Sequence, residues 1–403
     1  MKVTPLAPHI SKLADTLAPA LIKIRHHLHQ YPEPGRQEKE TTAYLIHQLE
    51  PFNLQLTTHY VETGFWADLQ IQPDAPFLAL RCDIDALPIA EKNEIPYASK
   101  NEGVMHACGH DAHAAVLSGA AMVLSRLKSE LTGNVRFIFQ PAEEITPGGA
   151  LDMIERGVLE GVEAILTLHS DPRIEVGKVG FKFGPFMAST DIFKIQIFGK
   201  GAHAANPHKS IDPIMIAAQL INSLHQVISR EINPVTPAVI TVTRILAGTT
   251  INVIPGEAEI WGTLRALDKS TRTFLQNRLR EVTASLCEMH HAQSELTLDK
   301  GAPPVVNDDA LCQIVRNATA EILGESHVKI LVEPDMGAED FAWYLQTVPG
   351  MIFRLGTKGR PGSEFELHHP NFDIDDRALA VGVKVFCMSV FKYFEGKEEP
   401  QSK

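Results

Sequence analysis

Met105-His106-Ala107-Cys108-Gly109-His110-Asp111-Ala112-His113 puts three imidazoles, a thiol and a carboxylate within nine residues, in a chain with only five cysteines. Electron-pair donors at this density are hard to bury without a shared partner, and a divalent cation satisfies them together. Cys108 and His110, two apart, point to the same side of an extended or loop backbone, whereas His106, His110 and His113 would align on a helix. The flanks favour the loop. Phe77-Leu78-Ala79-Leu80-Arg81 reads as a short apolar strand, followed by a loop at Asp83, Asp85 and Pro88, and helical spacing begins only at Ala114 and runs to Leu124. The motif is therefore expected in a loop that enters a helix; a solvated histidine-rich loop without an ion is the plain alternative.

Two more strand patterns end on donors. Residues 134–139 lead into Gln140-Pro141-Ala142-Glu143-Glu144, whose adjacent carboxylates point in different directions and can do different jobs. Residues 164–168 end on His169. Three strands with donor-bearing ends predict an α/β sheet whose site lies beyond the strand termini.

The elements that must hold these ends are helices at 10–29 and 41–49, strands within 54–71, and helices at 112–128 and 149–156. After Gly184-Pro185 the texture changes: strand 192–198, helix 211–231, strands 238–246 and 257–265, helix 270–291 and a strand near 295–299. This β-α-β-β-α-β order is that of a ferredoxin-like α+β module. The expected organisation is a mixed-sheet metal-binding catalytic domain, 1–186 with 300–403, carrying an inserted domain at 187–299. The first of these resumes with helix 308–323, a helical stretch after Met336–Phe341, strand 351–354, the Leu367-His368-His369-Pro370 loop and helix 376–394, before a charged, frayed tail at 395–403.

Composition excludes several classes. A net charge of −12 with no basic stripe argues against nucleic acid or an anionic membrane as partner. Five scattered cysteines make no disulfide framework, and neither a signal-peptide pattern nor an 18-residue apolar run is present. A cytoplasmic protein is expected.

Leu80-Arg81-Cys82-Asp83-Ile84-Asp85-Ala86-Leu87-Pro88, the loop from Met105 to His113, Gln140–Glu144, Gly199-Lys200-Gly201-Ala202-His203-Ala204-Ala205 and Asn252-Val253-Ile254-Pro255 stand in this order. Together they resemble the amidohydrolase branch of the zinc-dependent aminopeptidase/carboxypeptidase/aminoacylase superfamily, which holds hippurate hydrolases, N-acyl-amino-acid amidohydrolases and auxin-conjugate hydrolases. The similarity runs from Arg25-His26-His27-Leu28-His29 to Phe372-Asp373. It implies a zinc-exopeptidase type of catalytic domain with an inserted lid and dimerisation domain. It also implies Cys108, His110, Glu144, His169 and His368 as metal ligands, Glu143 as general acid/base, and His203 reaching the active site of a partner subunit. Pro34 and Arg36 depart from the apolar residues that relatives tend to carry, and His369 sets a second imidazole beside His368.

Amide hydrolysis at neutral pH needs a nucleophile and stabilisation of a tetrahedral oxyanion, and a metal addresses both. Five ligands exceed the usual three of a single open catalytic site. They suit two ions if one ligand bridges, as the Cys108 thiolate can. Sulfur and nitrogen donors favour zinc over manganese, with cobalt and nickel as further options. Glu143 would carry the proton from water to the leaving amine, although a carboxylate favoured by a helix N-terminus would look the same. Asp85 and Asp111 are expected to orient ligands, Asp85 being almost as well read as a strand-end turn. His203, by itself an ordinary loop histidine, gains an oxyanion-stabilising role from the resemblance. Asn252 and Arg265 are candidates for holding a substrate carboxylate, Arg265 equally for a surface strand position. The expected reaction is hydrolysis of N-acyl-L-amino acids, small-molecule substrates, by a homodimer formed through the inserted domain. A dipeptidase or aminopeptidase on the same frame and a silent metal-binding scaffold are the rivals.

Overall fold

The computed structural model describes residues 5–58 and 61–398, which fall into two compact units. Of these described residues, the first unit comprises those within 5–184, 307–333 and 343–398, and the second 185–306 and 334–342.

The first unit begins with helices α1 (Leu6–Gln30) and α2 (Lys39–Leu49), then strands β1 (Gln55–Thr57), β2 (Phe65–Leu69) and β3 (Phe77–Asp83). Helix α3 (His110–Arg126), β4 (Asn134–Gln140), α4 (Gly149–Glu155), β5 (Val162–Glu175) and β6 (Val179–Phe181) follow. Strand β7 (Gly184–Met187) leads into the second unit. That unit contains β8 (Asp191–Phe198), β9 (Ala202–His203), α5 (Pro213–Gln226), β10 (Ala238–Ala247), β11 (Val253–Ile254), β12 (Glu257–Ala266), α6 (Lys269–Met289) and β13 (Gln293–Lys300). After β14 (Val305–Asn307), the chain completes the first unit with α7 (Asp309–Leu323), β15 (Val328–Ile330), β16 (Gly350–Lys358) and α8 (Arg377–Glu398).

The first unit is built on an eight-stranded mixed sheet in the order β1-β2-β4-β3-β5-β16-β6-β15. Strands β4, β3, β5 and β16 are parallel neighbours. The register opposes Asp83 to Gln140 and Arg81 to Thr167, which brings the carboxyl ends of β3, β4 and β5 to one level. Ligands of open α/β sheets gather at that edge. Strands β3 and β4 are buried almost throughout, as parallel strands covered on both faces must be. Helix α3 is buried from His110 to Leu124 and packs against α1 and α8; its alanines keep the side chains short enough for close approach.

The sequence places the end of one strand at His169, but β5 continues to Glu175. Its pairing with β16 persists from His169 opposite Arg354 to Glu175 opposite Lys358, so backbone hydrogen bonds carry the strand past the polar residues. The charged tail is helical up to Glu398, and 399–403 lie outside the described residues.

The second unit holds an antiparallel sheet in the order β10-β12-β8-β13, with β8, α5, β10, β12, α6 and β13 in that order along the chain and the short strands β9 and β11 paired separately. Phe193, Ile195 and Ile197 alternate inward and meet Ile216, Leu220, Leu275 and Leu279 from α5 and α6. Asp212 and Asp268 cap these helices by accepting from the backbone N–H groups of their first turns. Among the described residues, no helix is long and apolar enough to cross a membrane.

Candidate metal centre

Cys108 and His110 sit where the loop after β3 turns into α3. Gly109, at φ 89°, makes the turn, and a Cβ there would lie 2.9 Å from the Ser170 hydroxyl. The loop is thus pressed against β5, and the Cys108 Sγ lies 3.5 Å from His169 Nε2. Glu143 and Glu144 follow β4. His368, at φ 66°, donates its backbone N–H to the Ala107 carbonyl at 2.8 Å, which ties its loop to the cysteine loop. Its Nε2 lies 3.2 Å from Glu144 Oε1. His369 turns elsewhere: its ring stacks on Phe365, and its Nδ1 accepts from the Asn371 N–H at 3.0 Å.

Two sets of donors are close enough to hold an ion, Cys108-His110-His169 and Cys108-Glu144-His368, and they share Cys108. His110, Glu143 and Glu144 form a further set linking the two. The hydrogen bonds leave the right lone pairs free. His110 Nδ1 donates to the Asp85 carbonyl at 2.9 Å and lies 3.1 Å from Asp85 Oδ1, which leaves Nε2 as the ring nitrogen available to an ion. His169 Nδ1 likewise donates to the Ser170 carbonyl at 2.8 Å. His110 Nε2 and Glu144 Oε1 are buried with no hydrogen-bond partner among the described residues. Such orphaned acceptors are costly unless a cation meets them.

The electrostatics agree. Burial raises the Cys108 thiol well above its usual range, and the charges of Glu144 and Glu143 push it further. For His110, burial alone would favour the neutral ring, but Asp83, Asp85 and Glu144 outweigh it and lift the pKa to about 10. Negative charge therefore converges on one point, and a cation there would reverse the thiol's preference to thiolate. Another set, Asp83-His110-His113, is accounted for without an ion. His113 Nδ1 donates to Asp83 Oδ1 at 2.6 Å, and its Nε2 accepts from the Ser170 N–H at 2.9 Å.

Asp85 lies between two of the candidate ligands. One oxygen faces His110, and the other accepts from the Glu144 N–H at 2.9 Å. Asp111 acts farther back, accepting from Arg25 Nε at 3.0 Å and His29 Nδ1 at 2.8 Å. Arg25, fully buried, also pairs with Asp373 and Asp376. His203, Asn252 and Arg265 belong to the second unit. His203 is in β9, paired with Val253 of β11, and Asn252 accepts from the Ala204 N–H at 2.9 Å. Arg265 lies on β12 and donates to the Met336 carbonyl at 3.1 Å, a carbonyl rather than a free position. Arg25, His29, Glu38 and the Asp83–His113–Ser170 chain carry support that spacing did not reveal. The run Arg25–His29 is visible as a motif, but the side chains that Arg25 and His29 bond lie 62 or more positions away.

His29 gives this support a pH signature. Burial would lower its pKa, yet hydrogen bonds to Asp111 and Glu91 raise it from 6.5 to about 9. A raised imidazolium stabilises the fold fully below its unfolded value and loses that effect as pH climbs through the folded one. Between pH 6 and pH 10 the wild type should lose roughly 3 kcal/mol more stability than His29→Asn. Denaturant titrations at the two pH values measure this, and equal slopes would show the ring to be neutral.

Peptidase family M20/M25/M40 matches residues 79–392. The chain belongs to that family. It is 42% identical over 388 residues to the N-acetyl-L-cysteine deacetylase of Bacillus subtilis, covering 96% of this chain and 91% of that protein. It is also 42% identical over 300 residues to the N-acyl-L-amino acid amidohydrolase of Geobacillus stearothermophilus, covering 74% and 81% of the two chains. A crystal structure from Bacillus subtilis, described as a dinuclear metal-binding peptidase of family M20, superposes with a TM-score of 0.84 at 38% identity, covering 94% of this chain and 99% of that one. This M20 family member is a metal-dependent amidohydrolase built on a mixed α/β fold.

Proposed function

We propose that this enzyme hydrolyses N-acyl-L-amino acids to a carboxylic acid and a free amino acid. The observation that carries the reading is the pair of donor sets meeting at Cys108 with a second carboxylate, Glu143, beside them. Cys108, His110, Glu144, His169 and His368 would hold two divalent ions, Cys108 serving both. Zinc suits the thiol and imidazoles best, with manganese next. Bound there, the ions would lower the pKa of water towards about 7 and polarise the scissile carbonyl.

The chain's own residues supply the rest. Glu143 takes the proton from the attacking water and delivers it to the leaving nitrogen, so that the amine departs neutral. Asp85 fixes the His110 ring and the Glu144 backbone together, which holds two ligands in one geometry. Asn252 and Arg265 are assigned to the substrate carboxylate and His203 to the oxyanion, His203 acting in the partner subunit's site.

A homodimer through the 187–299 module is consistent with β10, an edge strand of its sheet on which Ile245 and Leu246 are exposed. Five free cysteines, all buried, favour the cytoplasm.

The test is a panel of N-acetyl, N-benzoyl, indole-acetyl and aminoacyl substrates, run after chelation and readdition of zinc, manganese or cobalt. N-acyl amino acids should be cleaved only by metal-restored protein. Exclusive cleavage of aminoacyl substrates would establish a dipeptidase or aminopeptidase instead.

A further inference from the structure

Glu38 is fully buried, close behind the turn that carries Glu143 and Glu144. Its Oε1 accepts the Ala142 N–H at 2.8 Å, from a residue 104 positions away. Ala142 is held at φ 56°, a left-handed conformation that a side chain adopts only under restraint. The turn is closed from the other direction as well: the Ala142 carbonyl accepts from Gly149 N at 2.9 Å, and a Cβ on Gly149 would lie 1.9 Å from the Pro141 carbonyl oxygen. Pro141 and Ala142 also border a cavity of about 490 Å³ together with Arg36, Thr63 and Asp152.

We propose that Glu38 is a positioning residue: by accepting the Ala142 N–H it fixes the left-handed turn and so aims the Glu143 carboxylate, while Asp85 anchors the Glu144 N–H one step along. The proposal rests on Glu143 being the proton carrier. Two carboxylates thus hold alternate amides of a single turn, one for the acid/base and one for the ligand. Burial raises the pKa of the Glu38 carboxyl, and the charge of Asp85 reinforces the rise against the hydrogen bonds it accepts. What the turn needs from Glu38 is an acceptor oxygen, and a neutral side chain of the same shape supplies one.

Glu38→Ala, Glu38→Gln, Glu143→Ala and the Glu38→Ala/Glu143→Ala double variant test this, each assayed on folded protein with its bound metal counted. Misplacing a reacting group by about 1 Å costs on the order of 100-fold. Glu38→Ala should accordingly lower kcat by about 10- to 100-fold, with KM within about twofold and metal content unchanged. Glu38→Gln should stay within about threefold of wild type. In the Glu143→Ala background, loss of Glu38 should add nothing further, since the group it aims is gone.

Wild-type kcat in Glu38→Ala, or Glu38→Gln as impaired as Glu38→Ala, would overturn the positioning role and leave the amidohydrolase reading intact. Loss of metal in Glu38→Ala with unchanged kcat per bound ion would place its effect on Glu144 and overturn it too. Full activity in Glu143→Ala would overturn the acid/base assignment itself, and with it the proposal.

Discussion

Replacing Glu143 with Ala is expected to lower kcat by about 10³- to 10⁴-fold while leaving the bound metal and KM near their original values. Glu143 lies within reach of His110 and Glu144 but stands outside the two donor sets that share Cys108. Removing it should therefore strip the proton path without opening the metal sites. Elemental analysis of the purified variant together with initial rates on an N-acyl amino acid checks both halves. Retained hydrolysis would move the acid/base role to another group.

Cys108→Ala should have a larger effect on composition than any other ligand change. Because Cys108 belongs to both donor sets, its loss should release both ions and reduce activity to background. His368→Ala removes a donor from one set only and should leave about one ion per chain. Metal-to-protein stoichiometry distinguishes the two outcomes. Equal stoichiometry in both variants would show that the thiol does not serve two ions. Since burial and the neighbouring carboxylates hold the free thiol protonated, metal loading should release protons and weaken as the pH falls.

Much of this centre was legible in the chain because it is written locally. Cys108-Gly109-His110 and Glu143-Glu144 are contiguous motifs at the ends of apolar strands, and a parallel sheet brings such ends to one edge. Helix positions followed from apolar spacing, as in α3 and α7, whose ends fall within two residues of the expected ones. What was not legible depends on partners distant in sequence. Continued pairing of β5 beyond His169 needs β16, which lies about 180 positions later. Glu38 looks like an ordinary residue before a helix until Ala142 is folded against it. Arg25 gives no sign of which acids will surround it. The choice between His368 and His369 was likewise a matter of backbone geometry: a positive φ and one N–H to Ala107 decide which ring turns towards Glu144.

The buried Arg25 cluster also bears on when the enzyme can come into being. Arg25 precedes Asp373 and Asp376, which help to neutralise it, by 348 and 351 positions, and His368 stands just ahead of the two aspartates. A nascent chain still lacking His368, Asp373 and Asp376 would hold an unmatched guanidinium against an incomplete ligand set, a combination that resists burial. Capture of the cations should thus follow closure of these long-range contacts, so that a chain in which the two ends of this stretch have not yet met lacks the power to cut.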